Sequence, residues 1–186
     1  MNNTFIFIRH AKTLVDKDVP IDDWILTKEG EQQANSLAES SNFDDADILI
    51  SSEEQKSFLT LVPLSKKLGK DIIKIKELGE IQRPNSEKLT LKEYEDMKTK
   101  VFKNLNFTDH GWETANHALS RFKQTINNID SIYQNKIIII CAHGTVMTLF
   151  FADLQNKLDN LFSRWHGLEF GASGIVKDGK VLKDIV

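Results

Sequence analysis

The sequence predicts a three-layer α/β/α sandwich with a mostly parallel central sheet, and three observations carry that expectation. Continuous apolar runs, FIFI at 5–8 and IIII at 137–140, read as strands buried on both faces. Stretches with helical apolar spacing separate the strand-like runs, so strands and helices alternate along the chain. Arg9-His10 and His143-Gly144 follow those two runs, at the strand ends where folds of this class bind ligands.

The elements follow in order. TFIFIR (4–9) is a buried strand. Thr27 is placed to N-cap the helix KEGEQQANSLAES, whose apolar face carries Ala34, Leu37 and Ala38. ADILISS (46–52) is a second buried strand, and 53–69 a helix that stops at Gly69 and is open to a kink at Pro63. DIIKIKEL (71–78) reads as a third strand, 89–105 as a helix and 109–111 as a polar turn. A long amphipathic helix covers 114–134, KIIIICAH (136–143) is the most apolar strand, and GTVMTLFFADL is a buried helix. The last sixteen residues, 171–186, form a hairpin turning at Asp178-Gly179.

A chain of 186 residues with three prolines and no linker suits one domain, 1–186. Its 40% hydrophobic and 27% charged content is that of a globular protein with an ordinary core. A net charge of −3 argues against a nucleic-acid surface, so an anionic ligand needs a local basic pocket. No apolar run approaches the roughly 18 residues of a membrane span, and no targeting segment precedes the first strand. The expected setting is therefore cytoplasmic, without a membrane partner. The single cysteine, Cys141, lies within IIIICAH and reads as a small buried strand residue.

The strand ends carry the chemistry. A neutral histidine whose ring is oriented by a second hydrogen bond can act as a nucleophile. An adjacent arginine presents a planar fork that matches two phosphate oxygens. His143 adds a second imidazole at a helix start, and the backbone N–H groups from Gly144 onward form an anion site. Together Arg9, His10, His143 and Gly144 point to transfer of a phosphoryl group onto a histidine. Thr13 reads first as a turn residue and second as a phosphate contact. His110, His117 and His166 read as surface or packing residues, Arg83 as facing solvent, and Phe150, Phe151, Phe162 and Phe170 as core.

An ordered set of segments resembles the histidine phosphatase superfamily, also called phosphoglycerate mutase-like. IRHAKT resembles its Arg-His-Gly-x-Thr signature, with Ala11 in place of glycine. LTKEGEQQANSLAE, ILISSEEQKSFLTLVPLSKKLG, ELGEIQRP, GWETANHALSRF and IICAHGTVMTLF resemble its later segments, in the family's order and over nearly the whole chain. The resemblance implies that His10 is phosphorylated, that Arg9 and His143 grip the phosphoryl oxygens, and that Glu80 is the general acid, with Glu77 the lesser candidate. It implies no metal and no cofactor. It places the second phosphate-binding arginine at Lys56, where lysine keeps the charge and loses the fork. It often has asparagine where this chain has Asp16, so that carboxylate is expected to point away from the phosphate.

The implied activity is hydrolysis of a small phosphorylated metabolite. A phosphoprotein or phosphohistidine phosphatase, a weakly catalytic phospho-ligand sensor and a mutase are the alternatives. The short stretch between the acidic segment and His143 favours phosphatase over mutase. Substrate identity and oligomeric state are not written in the sequence.

Overall fold

A computed structural model describes residues 2–186. Six strands form one sheet: β1 (Thr4–Arg9), β2 (Ile48–Ser51), β3 (Ile72–Lys74), β4 (Ile137–Ala142), β5 (Ser173–Lys177) and β6 (Lys180–Lys183). Their order across the sheet is β3-β2-β4-β1-β5-β6. The first four run parallel, and β5 and β6 are antiparallel to their neighbours. Six helices cover the sheet: α1 (Lys28–Glu39), α2 (Gln55–Leu68), α3 (Leu91–Lys103), α4 (Ala115–Ile132), α5 (Gly144–Leu154) and α6 (Leu161–Gly167).

The pleat of β1 shows why its apolar run is unbroken. Phe5 and Phe7 belong to one core with α3, α4, α5 and α6, while Ile6 and Ile8 belong to the other with α1 and α2. Ile138 and Ile140 of β4 join the first core, and Ile139 and Cys141 the second. Cys141 is fully buried, and burial pushes its thiol up to about 12, which keeps it protonated.

β1 and β4 are adjacent and in parallel register, with Arg9 opposite Ala142. The helix after β1 lies on one face of the sheet and the helix after β4 on the other. The crevice between their carboxyl ends is therefore a topological switch point, where open α/β sheets bind ligands. His10 and His143 are the residues that follow these two strands.

Thr27 caps α1 as expected, its hydroxyl accepting the Gly30 N–H at 3.0 Å. Gly69 ends α2 in the left-handed region at φ 63°, and Pro63 is accommodated inside a continuous α2. Asp178 and Gly179 both have positive φ, as the tight C-terminal hairpin requires. Two elements differ from the sequence expectation. β3 stops at Lys74, because the chain then turns through Lys76–Leu78 in a short 3-10 turn toward the crevice. Helix α6 was not anticipated: it is seven residues long, begins after Asn160 in the left-handed region and has no side-chain N-cap.

Candidate active site

His10 leaves β1 with its N–H on Ala142 O at 3.0 Å, so the strand pairing itself sets its position. Its Nδ1 lies 2.9 Å from Ala11 O. A carbonyl can only accept, so Nδ1 carries the proton and Nε2 keeps its lone pair. Burial lowers the His10 pKa well below the usual imidazole value, with His143 and Lys56 adding to the effect. The ring is therefore neutral and nucleophilic. Ala11 is fully buried, its N–H donates to Thr60 Oγ1 at 2.9 Å, and it is absent from the positive-φ residues; glycine's freedom is not needed there. Thr13 Oγ1 lies 3.2 Å from His10 Nδ1 and donates to Ala11 O, which places it beside the protonated nitrogen of the ring.

The His10 and His143 rings lie 5.1 Å apart between centroids, inclined by 55°. His143 is fully buried. Its Nε2 is 2.7 Å from Ser52 Oγ and 3.1 Å from Glu54 Oε1, while its Nδ1 is buried without a partner. Burial lowers its pKa to about 4, against the upward pull of Glu54. Arg9 lays its guanidinium 4.1 Å over the Phe170 ring and donates to Leu168 O, and its Nε is buried without a partner. Phe170 also packs on His10 at 5.6 Å, so this half-exposed ring braces the site instead of filling the core. Gly144 opens α5 beside Arg9: a Cβ there would sit 3.4 Å from Arg9 Nε and Cζ.

Glu80 is buried at the same crevice. Its two oxygens accept the backbone N–H groups of Ile81 at 2.8 Å and Thr145 at 2.9 Å. The latter is in the first turn of α5, so a carboxylate takes one of the donors of that helix N-terminus. Burial alone would raise the Glu80 pKa; the charges of Lys98, Arg83 and His143 outweigh it and hold the group far below the usual carboxylate range. Glu77 is exposed, and its carbonyl is a structural acceptor for Arg121.

Arg121 explains how the Glu80 loop is held. Its guanidinium grips Glu113 through Nε and Nη2 at 2.8 and 2.9 Å and donates to the carbonyls of Glu77, Gly79 and Glu80. The Gly-Trp-Glu segment and the arginine of α4 thus act as a clamp on the loop that delivers Glu80.

Lys56 is 2% exposed, its ammonium bound to Ile21 O at 2.9 Å and to Glu54. Its charge reaches the site, since it depresses both histidines, and its bonds go to protein oxygens. Asp16 is exposed and accepts the Asp18 N–H at 3.0 Å, an internal cap of its own loop.

Arg83, read from the sequence as facing solvent, lies instead in the site. It donates to Ile81 O at 3.1 Å and faces Tyr94, Glu80 and Glu54. Burial would lower its pKa, and those partners raise it instead. Lys98 was not anticipated at all. It is fully buried, bonds to Thr145 Oγ1, and is ringed by Tyr94, Trp112 and Trp165 at 5.3–5.7 Å. Its signal was a lysine on the apolar stripe of a helix, between Tyr94 and Val101. Ser52 and Glu54 were missed as well; nothing in SSEEQKS separates a buried glutamate from an exposed one.

A cleft of about 1010 Å³ descends between the 17–23 loop and the 79–88 loop to Glu54, Glu80 and Arg83. His10 and His143 are not among the residues that line this cleft; His10 is 7% exposed and His143 fully buried. A neutral imidazole with a free nitrogen, a second imidazole, buried cations and a buried carboxylate meet at one switch point, a set of groups able to bind and accept a phosphoryl group.

Comparison with known proteins agrees. The model of the histidine phosphatase superfamily (branch 1) matches residues 5–176. The chain belongs to that superfamily. No curated protein matches its sequence. Among solved structures it resembles a mycobacterial glucosyl-3-phosphoglycerate phosphatase, with a TM-score of 0.76 and 16% identity over 94% of this chain and 90% of that one. A phosphoserine phosphatase from Entamoeba histolytica, in complex with 3-phosphoglyceric acid, gives 0.73 and 21% over 93% and 89%. The Bacillus stearothermophilus protein YhfR gives 0.75 and 19% over 97% and 95%.

Proposed function

We propose that the chain hydrolyses phosphomonoesters of small metabolites through a phosphohistidine on His10, without a metal. The observation that carries this reading is the His10–His143 pair, 5.1 Å apart, with the proton of His10 fixed on Nδ1 by Ala11 O. In the first step His10 Nε2 attacks phosphorus, the ester P–O bond breaks, and the leaving oxygen takes a proton from Glu80. In the second, Glu80 takes a proton from water, the water oxygen bonds to phosphorus, and the P–N bond breaks to free His10 and phosphate. Arg9, Arg83 and His143 stabilise the charge on the transferring oxygens.

Its cationic neighbours hold Glu80 ionised, so it must gain a proton before acting as an acid. A phosphomonoester whose second pKa is about 6 can bring that proton with it. The burial of both histidines favours a small substrate. Two of the similar structures bear the names of phosphatases of small phosphorylated metabolites, which agrees.

The test is release of phosphate from p-nitrophenyl phosphate and from a panel of sugar, amino-acid and glycerate phosphates, by wild type and His10→Ala. Turnover that disappears in the variant supports the reading. Equal background rates with retained phosphate binding would make the protein a sensor, the alternative suggested by the engagement of Lys56 with Glu54.

A further inference from the structure

The mechanism leaves one buried carboxylate unused. Glu54 precedes α2 and is 7% exposed. Its Oε1 accepts the Glu80 N–H at 2.6 Å and lies 3.1 Å from His143 Nε2. Its Oε2 holds the Lys56 ammonium, whose second bond goes to Ile21 O at 2.9 Å. The lysine that stands where the family resemblance puts a phosphate-gripping arginine thus commits two of its three donors to a carboxylate and a carbonyl. That carboxylate in turn touches a histidine of the phosphoryl pocket.

The consequence lies in the His143 ring. A carboxylate can only accept, so the Nε2 that faces Glu54 carries a proton, with Ser52 Oγ at 2.7 Å as the other neighbour. In a neutral ring this leaves a bare lone pair on Nδ1, which repels a phosphoryl oxygen. In an imidazolium, Nδ1 gains an N–H, and no protein acceptor competes for it, because Nδ1 is buried and unpartnered.

We propose that Glu54 is a positioning residue for phosphoryl transfer: held by Lys56, it keeps a proton on His143 Nε2 and so favours the imidazolium whose Nδ1–H receives a phosphoryl oxygen. The proposal rests on the phosphatase reading above. The proton comes from solvent as the anion binds, since the substrate's own P–OH proton goes to Glu80, and it leaves with phosphate. Among the protein groups alone, burial keeps His143 neutral at pH 7, with Lys56 and Arg83 on the side of burial and Glu54 and Glu80 opposing it. The remaining neighbours are the neutral His10 and Arg9, which lies beside Gly144. A bound phosphoryl dianion offsets those cations, and Glu54 then decides where the imidazolium titrates. The charged form is present below that pKa and lost as pH rises through it. Removing the Glu54 charge lowers that pKa and moves the alkaline limb of activity to lower pH.

The experiment uses the full chain with inorganic phosphate as probe and p-nitrophenyl phosphate as substrate. Nitrogen NMR of the His143 ring in the phosphate complex is expected to show both nitrogens protonated at neutral pH in wild type and a neutral ring in Glu54→Gln. In the same variant kcat/KM falls roughly 10²-fold, the loss typical of one well-placed donor. The fall is carried mainly by kcat, with the alkaline limb shifted down by about two pH units, as a hundredfold loss through one titrating group requires, and Glu54→Asp restores part of both. A neutral His143 in the wild-type complex overturns the proposal without any variant. So does an unmoved alkaline limb, or tighter phosphate binding by Glu54→Gln, which would make Glu54 a competitor of the ligand. If wild-type turnover does not depend on His10, the phosphatase reading fails; if it does and the limb stays in place, only the role of Glu54 fails.

Discussion

Arg121→Ala removes the clamp on the Glu80 loop, and its cost can be worked from the structure. The substitution deletes a bidentate ion pair and three donations to the carbonyls of Glu77, Gly79 and Glu80. The side chains involved are 14% exposed at Arg121 and 4% at Glu113, so water enters poorly and Glu113 is left charged and buried. Breaking a buried pair from one side costs about 3–5 kcal/mol, and partial access to Arg121 places this case near about 3 kcal/mol. For a chain of this size that is a fall in Tm of roughly 6–12 °C. Burial pushes the Glu113 pKa up, but the bonds from Arg121 and Gln82 outweigh it and hold the carboxyl below its ordinary value. The stability the pair contributes is therefore complete above the unfolded pKa of about 4.3 and lost as pH falls through the lower folded one. Urea unfolding at pH 7 and at pH 3 measures both quantities. A variant whose Tm stays within about 2 °C of wild type, less than 1 kcal/mol, or a difference that persists unchanged into acid, would refute the clamp. Phosphatase turnover should drop more than stability requires, because the loop that aims Glu80 loses its anchor.

Three further outcomes are expected. Lys98→Met removes a charge that holds Glu80 ionised; the Glu80 pKa rises, and the acid limb of the kcat/KM profile moves to higher pH by roughly one unit. An acid limb in the wild-type position would show that Lys98 only packs against its aromatic ring. Gly30→Ala puts a Cβ 2.1 Å from the Lys12 carbonyl oxygen, a backbone atom two residues past His10; urea midpoints should report a loss of about 1–3 kcal/mol, and a neutral result would mean that α1 and the His10 loop separate freely. Arg9→Lys keeps charge but loses the stack on Phe170 and the planar fork; the Kd for inorganic phosphate, read by calorimetry, should weaken by about tenfold or more, and unchanged binding would remove Arg9 from the phosphate grip.

The reach of the sequence followed the physics of each signal. FIFI and IIII were legible because a strand buried on both faces cannot alternate, and those runs carried His10 and His143 to neighbouring strand ends. Thr27, Gly69 and Asp178-Gly179 were legible because caps and tight turns have local chemistry. Helix α6 was not, since seven residues without a side-chain cap leave no period to read. Burial of charge was the larger loss. Glu54 and Glu53 are adjacent and chemically identical, and only the packing of α2 against the sheet decides which one enters the site. Lys98 and Arg83 look like surface residues until an aromatic ring of Tyr94, Trp112 and Trp165, or the carboxylates of Glu54 and Glu80, are assembled around them from distant segments. Such pairings depend on tertiary contacts that no local pattern encodes. The departure at Lys56 was visible, but its pairing with a carboxylate two residues away required the fold.

The central claim is that His10 Nε2 becomes covalently phosphorylated. Reaction with phosphorus-labelled p-nitrophenyl phosphate, quenched in alkali within the first turnovers and followed by peptide mapping, measures it directly. The account predicts an alkali-stable, acid-labile label on the peptide carrying His10, absent from His10→Ala. Steady turnover with no labelled peptide, or a label on any other residue, would contradict it.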